Sequence, residues 1–121
     1  MFIKYKSSYK KIAMGLLSFM PEEKEVKKLQ ETIRLYEEEE NRQLYLWKEN
    51  DDLVGVIGIY MHEDGTPELK HLCVNPSFRD EGIGRKMVSV LSQRLGCEMV
   101  GSEETSGFLS CCEKEVNQEV N

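Results

Sequence analysis

The chain has 121 residues and a formal net charge of −6, with 40% hydrophobic and 31% charged residues. These values are typical of one folded domain and exclude an intrinsically disordered chain. The negative net charge disfavours a general nucleic-acid binder, which needs a basic face, and no apolar run approaches the ~20 residues that cross a bilayer.

Targeting and cysteine patterns give no sign of an exported protein. The N-terminal residues carry no apolar segment of the secretory type, and the four cysteines lack the spacing of a disulfide scaffold. We therefore expect a cytoplasmic protein with reduced thiols. The histidines and cysteines also lack the spacing of metal ligands, so no metal site is predicted.

The N-terminal third predicts a strand followed by two helices. Residues 2–6 alternate apolar and basic side chains, which is typical of a strand. Ser8 is placed to cap a helix over residues 9–19. The apolar stripe predicted for this helix is Ile12, Leu16 and Phe19. Pro21 suits the first turn of a second helix. That helix carries apolar residues at spacings of 3, 4 and 3, namely Val26, Leu29, Ile33 and Tyr36.

The middle of the chain predicts three strands. Residues 43–48 and 53–60 form a hairpin around a polar turn, and residues 68–74 form the next strand. The second strand of the hairpin is apolar on both faces, so we expect it inside a sheet that helices cover on both sides. Gly55 and Gly58 within it mark places where a neighbouring group packs close to the backbone.

The C-terminal part predicts a helix over residues 82–95, a strand over 97–101 and a last helix over 102–112. The complete order is strand, helix, helix, three strands, helix, strand and helix, which predicts a mixed sheet with helices on its faces. We expect one domain over residues 1–112 and a polar, frayed tail over 113–121.

The junction between the strand over 68–74 and the following helix has the features of an anion site. Gly82 and Gly84 let an anion reach the backbone without meeting a Cβ atom. The first amides of a helix have no acceptor within it and lie at the positive end of its dipole, so the turn predicts a phosphate cradle. A Walker loop is excluded by the spacing, and the dinucleotide fingerprint lacks its third glycine, because Met87 stands there.

The segment from Leu72 to Met87, in which Val74-x-Pro76 precedes Arg79-x-x-Gly82-x-Gly84, closely resembles the GNAT N-acetyltransferases. Their cofactor loop reads Gln/Arg-x-x-Gly-x-Gly/Ala between a strand and a helix. The resemblance implies the mixed α/β (α+β) GNAT fold and the cofactor acetyl-coenzyme A. It implies that the pyrophosphate is bound by the backbone of Arg79, Asp80, Glu81, Gly82, Ile83, Gly84 and Arg85. It implies that the pantetheine arm pairs with the backbone of Leu72, Cys73 and Val74.

Two residues are catalytic candidates, the first through the same resemblance and the second through its chemistry. Glu68 stands where some GNAT enzymes carry their general base, and burial there would raise the pKa of its carboxyl group. The alternative is a solvated residue at the end of a strand. His71 is the second candidate because an imidazole titrates near neutral pH. Its alternative is a histidine whose hydrogen bonds are satisfied in the core or at an interface.

The last predicted helix departs from the family pattern. Where relatives read Asn-x-x-Ala-x-x-Phe-Tyr, this chain has Ser102 in place of asparagine, a matching Phe108, and Leu109 in place of the tyrosine acid. Ser102 and Phe108 are implied cofactor contacts. Typical GNAT domains continue into two more strands, so we expect a C-terminally shortened sheet whose edge a second copy or another partner covers.

Two functions remain open from the sequence. The first is an N-acetyltransferase that acts on an amine of a small molecule or a protein. The second is a coenzyme A-binding regulator or scaffold without catalysis, which the missing tyrosine favours. Residues 11–21 and 42–49 further resemble small GNAT-like proteins of bacterial riboflavin operons, which implies an acceptor linked to flavin synthesis.

Overall fold

The structure is a computed structural model that describes residues 2–20, 25–78 and 82–101. Its strands are β1 (Phe2–Lys4), β2 (Arg42–Glu49), β3 (Asp52–Met61), β4 (Pro67–Val74) and β5 (Val100–Gly101). Its α-helices are α1 (Lys10–Leu17), α2 (Val26–Glu38) and α3 (Ile83–Leu95), and short 3-10 turns span Ser7–Tyr9 and Pro76–Phe78. The predicted element order is confirmed as far as β5, although β1 and β5 are shorter than expected.

The strands form one sheet in the order β1-β2-β3-β4-β5. The first three pairings are antiparallel and β4 pairs with β5 in parallel, so the predicted mixed sheet is confirmed. Asn50 and Asp51 join β2 to β3 with φ angles of 49° and 71°. Two positive φ angles in a two-residue loop give the backbone twist that matches paired strands.

Two hydrophobic cores lie on opposite faces of the sheet. Helices α1 and α2 cover one face, which we call the α1/α2 face, and helix α3 covers the other, the α3 face. Strand β3 contributes to both cores, because Val56 packs with α1 and α2 while Val54 and Ile57 pack with α3. This confirms the prediction that the apolar run in β3 is buried on both sides.

Helix α1 buries a different stripe from the one predicted. Its buried residues are Ala13, Leu16 and Leu17. Ile12 and Phe19 are 44% and 42% exposed, so that prediction was wrong for both. The helix begins after a 3-10 turn, and no side chain caps it, so Ser8 is not the predicted cap. Phe19 lies beyond Leu17, where the helix ends, and the buried stripe runs through Ala13, Leu16 and Leu17, which leaves Ile12 at its margin.

Helix α2 buries Leu29, Ile33 and Tyr36 as predicted. Val26, the first residue of the helix, is 62% exposed and does not belong to the buried stripe. Both glycines of β3 mark close packing, as predicted. A Cβ atom on Gly55 would lie 2.8 Å from the sulfur of Met87, and one on Gly58 would overlap the hydroxyl of Tyr36.

Several predictions fall outside the described residues, namely Pro21 as a first-turn residue, the helix over 102–112 and the tail over 113–121. Within the described ranges, no helix has the length and apolar character needed to span a bilayer. In that same part of the chain, no group of three or more His, Cys, Asp and Glu side chains is arranged to hold a metal ion.

Candidate active site

In the described part of the chain, the edge of β4 that faces away from β3 is paired over only a short length, and we call it the open edge. Among the described residues, β5 pairs with β4 at Glu68 and Leu69 alone. The N–H of Asn75 donates to the carbonyl of Val54 on β3, 2.7 Å away. Because backbone groups alternate in direction along an antiparallel strand, those of Leu72 and Val74 point away from β3. These two residues therefore offer main-chain donors and acceptors at the open edge.

Cys73 contributes differently from its neighbours in β4. It lies two residues before Asn75, whose N–H donates to Val54 on β3, so by the same alternation its backbone groups are directed toward β3 and its partner Val56. Its side chain is 6% exposed and lies in the core under α1 and α2, as expected for a buried free thiol. Of the three residues assigned to the pantetheine arm, Leu72 and Val74 thus have the suitable backbone orientation.

A β-bulge at Lys70 changes which side chains of β4 share a face. Gly58 pairs with His71 and Ile59 pairs with Leu69, so Lys70 is an extra residue in β4. Side chains alternate in a regular strand, and the extra residue reverses that alternation. Leu69 packs on the α3 face and Cys73 on the α1/α2 face. Glu68 and His71 therefore both lie on the α1/α2 face.

Two basic side chains hold the carboxylate of Glu68. Its Oε1 lies 2.7 Å from Nε2 of His62, and its Oε2 lies 2.8 Å from Nζ of Lys70. The side chain of Glu68 is 16% exposed. The hydrogen bond from Lys70, together with the weaker effect of His62, lowers the pKa of Glu68 below its ordinary 4.5 despite burial. The expectation of a raised pKa was wrong, because these bonds stabilise the charged form more than desolvation opposes it.

Cross-strand neighbours extend this polar region over three strands. Arg42 of β2 pairs in register with Tyr60 of β3, and Tyr60 pairs with Glu68 of β4. The guanidinium of Arg42 lies 5.3 Å from the centre of the Tyr60 ring, and its Nε donates to Glu39 at 2.7 Å. Sequence reasoning did not assign Arg42, Tyr60, Lys70 or His62 to the site. Strand register brings these residues together.

His71 is engaged by a buried tyrosine. The hydroxyl of Tyr36 lies 2.6 Å from Nδ1 of His71, and the two rings meet edge to face at 5.5 Å. Tyr36 is 7% exposed. The prediction had assigned it only to the apolar stripe of α2.

Eight residues, 75–82, separate the end of β4 from the start of α3, and the structure describes 75–78 and 82 among them. Gly82 precedes the helix with φ 75° and ψ 15°, a left-handed conformation that favours glycine. The amide of Lys86 makes the first bond of the helix, to the carbonyl of Gly82 at 3.1 Å. The amides of Ile83 and Gly84 thus have no acceptor within the helix and lie at its positive end. Arg85 is exposed in the same turn.

Five predicted cofactor residues lie outside the described residues, namely Arg79, Asp80, Glu81, Ser102 and Phe108. The described part nonetheless fits a diphosphate carried on an extended arm. Amides without an acceptor in their own helix begin α3, and among the described residues outward main-chain groups of Leu72 and Val74 line the end of β4. No Cβ atom projects at Gly82 to obstruct an anion.

Comparison with known proteins identifies the family. The model of the acetyltransferase (GNAT) family matches residues 11–115. The chain belongs to this family. A relative from Bacillus methanolicus, described as an uncharacterized N-acetyltransferase in the lysA 3′ region, is 49% identical over 114 residues, which cover 93% of this chain and 95% of the relative. The GNAT protein described here is an N-acetyltransferase with acetyl-coenzyme A as its cofactor.

Solved structures share the fold at lower identity. AAC(6′)-Iy, solved with a coenzyme A bisubstrate analogue, has a TM-score of 0.73 and 14% identity over 100% of this chain and 88% of its own. A possible acetyltransferase from Clostridium difficile 630 has a TM-score of 0.72 and 13% identity, covering 97% and 88%. Aminoglycoside 6′-acetyltransferase type Ii has a TM-score of 0.63 and 25% identity, covering 79% and 64%. The predicted mixed α/β GNAT fold is confirmed.

Proposed function

We propose that this GNAT protein transfers the acetyl group of acetyl-coenzyme A to a primary amine of a small molecule or a protein. The observation that carries the proposal is the open edge of β4, which leads from the N-terminus of α3 to the bulge at Lys70. Amides of Ile83 and Gly84 would hold the pyrophosphate, with the rest of the loop from Arg79 to Arg85. The backbone of Leu72 and Val74 would pair with the pantetheine arm.

Acetyl-coenzyme A supplies an acyl group activated as a thioester. Glu68 acts as the general base, because it is a carboxylate at neutral pH and lies at the far end of β4 from the cradle. Its contacts with Lys70 and His62 fix the direction of both oxygens. The lowered pKa makes Glu68 a weak base, which would accept the amine proton as the nitrogen bonds to the acyl carbon. The C–S bond of the thioester would break in the same reaction, and the coenzyme A thiolate would leave and take a proton from water.

Turnover of a panel of primary amines, followed by free thiol, tests this function. We expect Glu68→Gln to lower kcat by about 10²-fold, the usual size of a general-base contribution, without changing the Kd for acetyl-coenzyme A. Glu63→Gln is the matched control, because Glu63 lies in the exposed turn before β4. Equal thiol release by wild type and Glu68→Gln would remove Glu68 from the mechanism.

A non-catalytic coenzyme A-binding regulator is the second candidate, and Leu109 in place of the family's tyrosine acid favours it. The two functions separate in a binding experiment. At acetyl-coenzyme A concentrations 100 times the Kd, either function predicts about 2.7 kcal/mol of added stability. Thermal stabilisation without thiol release for any amine supports the regulator, and the absence of stabilisation contradicts both.

The likeness of residues 11–21 and 42–49 to riboflavin-operon proteins supports a finer proposal, an acceptor linked to flavin synthesis in the cytoplasm. Amine-bearing intermediates of riboflavin synthesis belong in the panel, and thiol release with other amines but none of these would contradict the link. A homodimer that covers an exposed sheet edge also remains a proposal. A gel-filtration mass of one chain at micromolar concentration would count against it.

A further inference from the structure

The hydroxyl of Tyr36 occupies a space that β3 leaves open at Gly58. Gly58 is the register partner of His71, and a Cβ atom at Gly58 would overlap this hydroxyl. The phenol therefore passes from α2 over the backbone of β3 to reach Nδ1 of His71 on β4, at 2.6 Å. Three elements combine to make this contact. Tyr36 is 7% exposed, so its hydroxyl needs a partner inside the protein.

The contact determines where the imidazole carries its proton. Between a neutral phenol and a neutral imidazole, the O–H donates, because the imidazole nitrogen is the stronger base. With the hydroxyl of Tyr36 as the donor, Nδ1 of His71 accepts the bond and the ring proton resides on Nε2. In histidine, the hydrogen bond at one nitrogen sets the protonation of the other. In this arrangement the Nε2–H is the remaining donor of the ring.

His71 also lies where the proposed reaction takes place. An arm that starts at the N-terminus of α3 and pairs with Val74 and Leu72 reaches His71 and the bulge at Lys70 next. The bulge places His71 on the same face as Glu68, the proposed base. A neutral imidazole that donates from Nε2 stabilises negative charge as it develops on an acyl oxygen without itself giving up a proton.

We propose that Tyr36 is a positioning residue for acetyl transfer, which holds His71 in the Nε2–H form so that the ring donates a hydrogen bond to the reacting acyl group. The proposal rests on the proposed function. Tyr36 lies in α2, which is outside the cofactor-loop motif around Gly82, so the motif gives this residue no role. The inference depends on the contact among Tyr36, Gly58 and His71.

Tyr36→Phe tests the proposal because it removes the hydroxyl and keeps the ring. We expect kcat to fall about tenfold while the Kd for acetyl-coenzyme A stays within twofold, since a donor that is misdirected costs less than one that is absent. In the His71→Gln background, Tyr36→Phe should have no further effect on kcat. The positioning role would be overturned if Tyr36→Phe lowered kcat equally in the wild-type and His71→Gln backgrounds. It would also be overturned if Tyr36→Phe lowered kcat in neither background.

Tyr45→Phe is the matched control. The hydroxyl of Tyr45 donates to Oε1 of Gln43 at 2.6 Å, and its ring packs in the core on the α3 face, away from Glu68. We expect this variant to keep the kcat of the wild type. A similar loss in Tyr45→Phe would show that removing any buried hydroxyl has this effect and would overturn the proposal.

Nitrogen-15 NMR of the imidazole rings provides a readout that does not depend on turnover. The chain has two histidines, so the His71→Gln spectrum assigns both. We expect the Nε2–H tautomer at His71 in the wild type and a mixture of tautomers in Tyr36→Phe. An Nδ1–H tautomer in the wild type would overturn the proposal even if the amine panel confirms acetyl transfer. Loss of acetyl-coenzyme A binding in the wild type would instead identify a failure of the proposed function.

Discussion

Glu68 is 16% exposed, and its two carboxylate oxygens lie 2.7 Å from Nε2 of His62 and 2.8 Å from Nζ of Lys70. Burial raises the pKa of a carboxyl group and donors lower it, and here the donors have the larger effect. The hydrogen bond from Lys70 thus outweighs burial, which alone would raise the pKa of Glu68. At Gly58 the missing side chain has a comparable influence, because it admits the hydroxyl of Tyr36 to His71.

The pKa of Glu68 predicts a pH dependence of stability. The folded pKa lies below the unfolded value, so the charged form stabilises the fold above about pH 4.5, and this contribution is lost as the pH falls through the folded pKa. We expect Glu68→Gln to be less stable than the wild type at pH 7 and the difference to shrink below pH ~4.5. Urea unfolding at several pH values measures it. A difference that stays constant down to pH ~3, or the same trend in Glu63→Gln, would contradict the assignment.

At the scale of elements, β4 and α3 form the site between them. The bulge at Lys70 turns Glu68 and His71 to one face, and the open edge beyond Leu69 leaves outward backbone groups at Leu72 and Val74. Helix α3 starts and ends at left-handed glycines, Gly82 with φ 75° and Gly96 with φ 76°. A Cβ atom at either glycine would meet no neighbour within 4 Å, so conformational strain is the main cost of substitution.

The two ends of α3 provide a matched pair of variants. Gly82→Ala and Gly96→Ala should each lower the free energy of unfolding by about 1–2 kcal/mol, because both place a side chain in the left-handed region. Only Gly82→Ala should also weaken acetyl-coenzyme A binding, because Gly82 lies at the proposed cradle. Urea unfolding and calorimetric titration measure the two effects. Equal Kd values for both variants would place the pyrophosphate elsewhere.

At the scale of the whole molecule, the sheet separates two cores, and the site lies where β4 leaves its pairing with β5. The pantetheine arm of the cofactor would pair with the open edge of β4 in the way that an additional strand would. Bound ligand then supplies backbone partners that the described protein does not provide at Leu72 and Val74. Binding should therefore protect a defined set of amides.

Hydrogen exchange tests this arrangement. We expect acetyl-coenzyme A to slow exchange at an amide of Leu72 or Val74 by at least about tenfold, since a hydrogen-bonded amide exchanges only when that bond opens. The amide of Cys73, which is directed toward Val56 on β3, is the internal control and should change little. Uniform slowing over all of β4 would indicate general stabilisation instead of strand-like pairing of the arm.

The sequence by itself determined the order of elements as far as β5 and the burial of β3 on both faces, and it predicts the anion loop before α3. Each of these depends on local patterns, namely periodicity, turn residues and the spacing of Gly82 and Gly84. Its interpretation of α1 was wrong for Ile12 and Phe19, because the helix ends at Leu17 and its buried stripe includes Ala13 and Leu17 instead.

Only the tertiary structure decided how the site is assembled. His71 is three positions after Glu68, so a regular strand would place them on opposite faces, and the bulge at Lys70 brings them to the same face. The contacts of Tyr36 with His71 and of His62 with Glu68 join residues that are distant in sequence or lie across a turn. Strand register and the packing of α2 fix these contacts, and no local pattern encodes either.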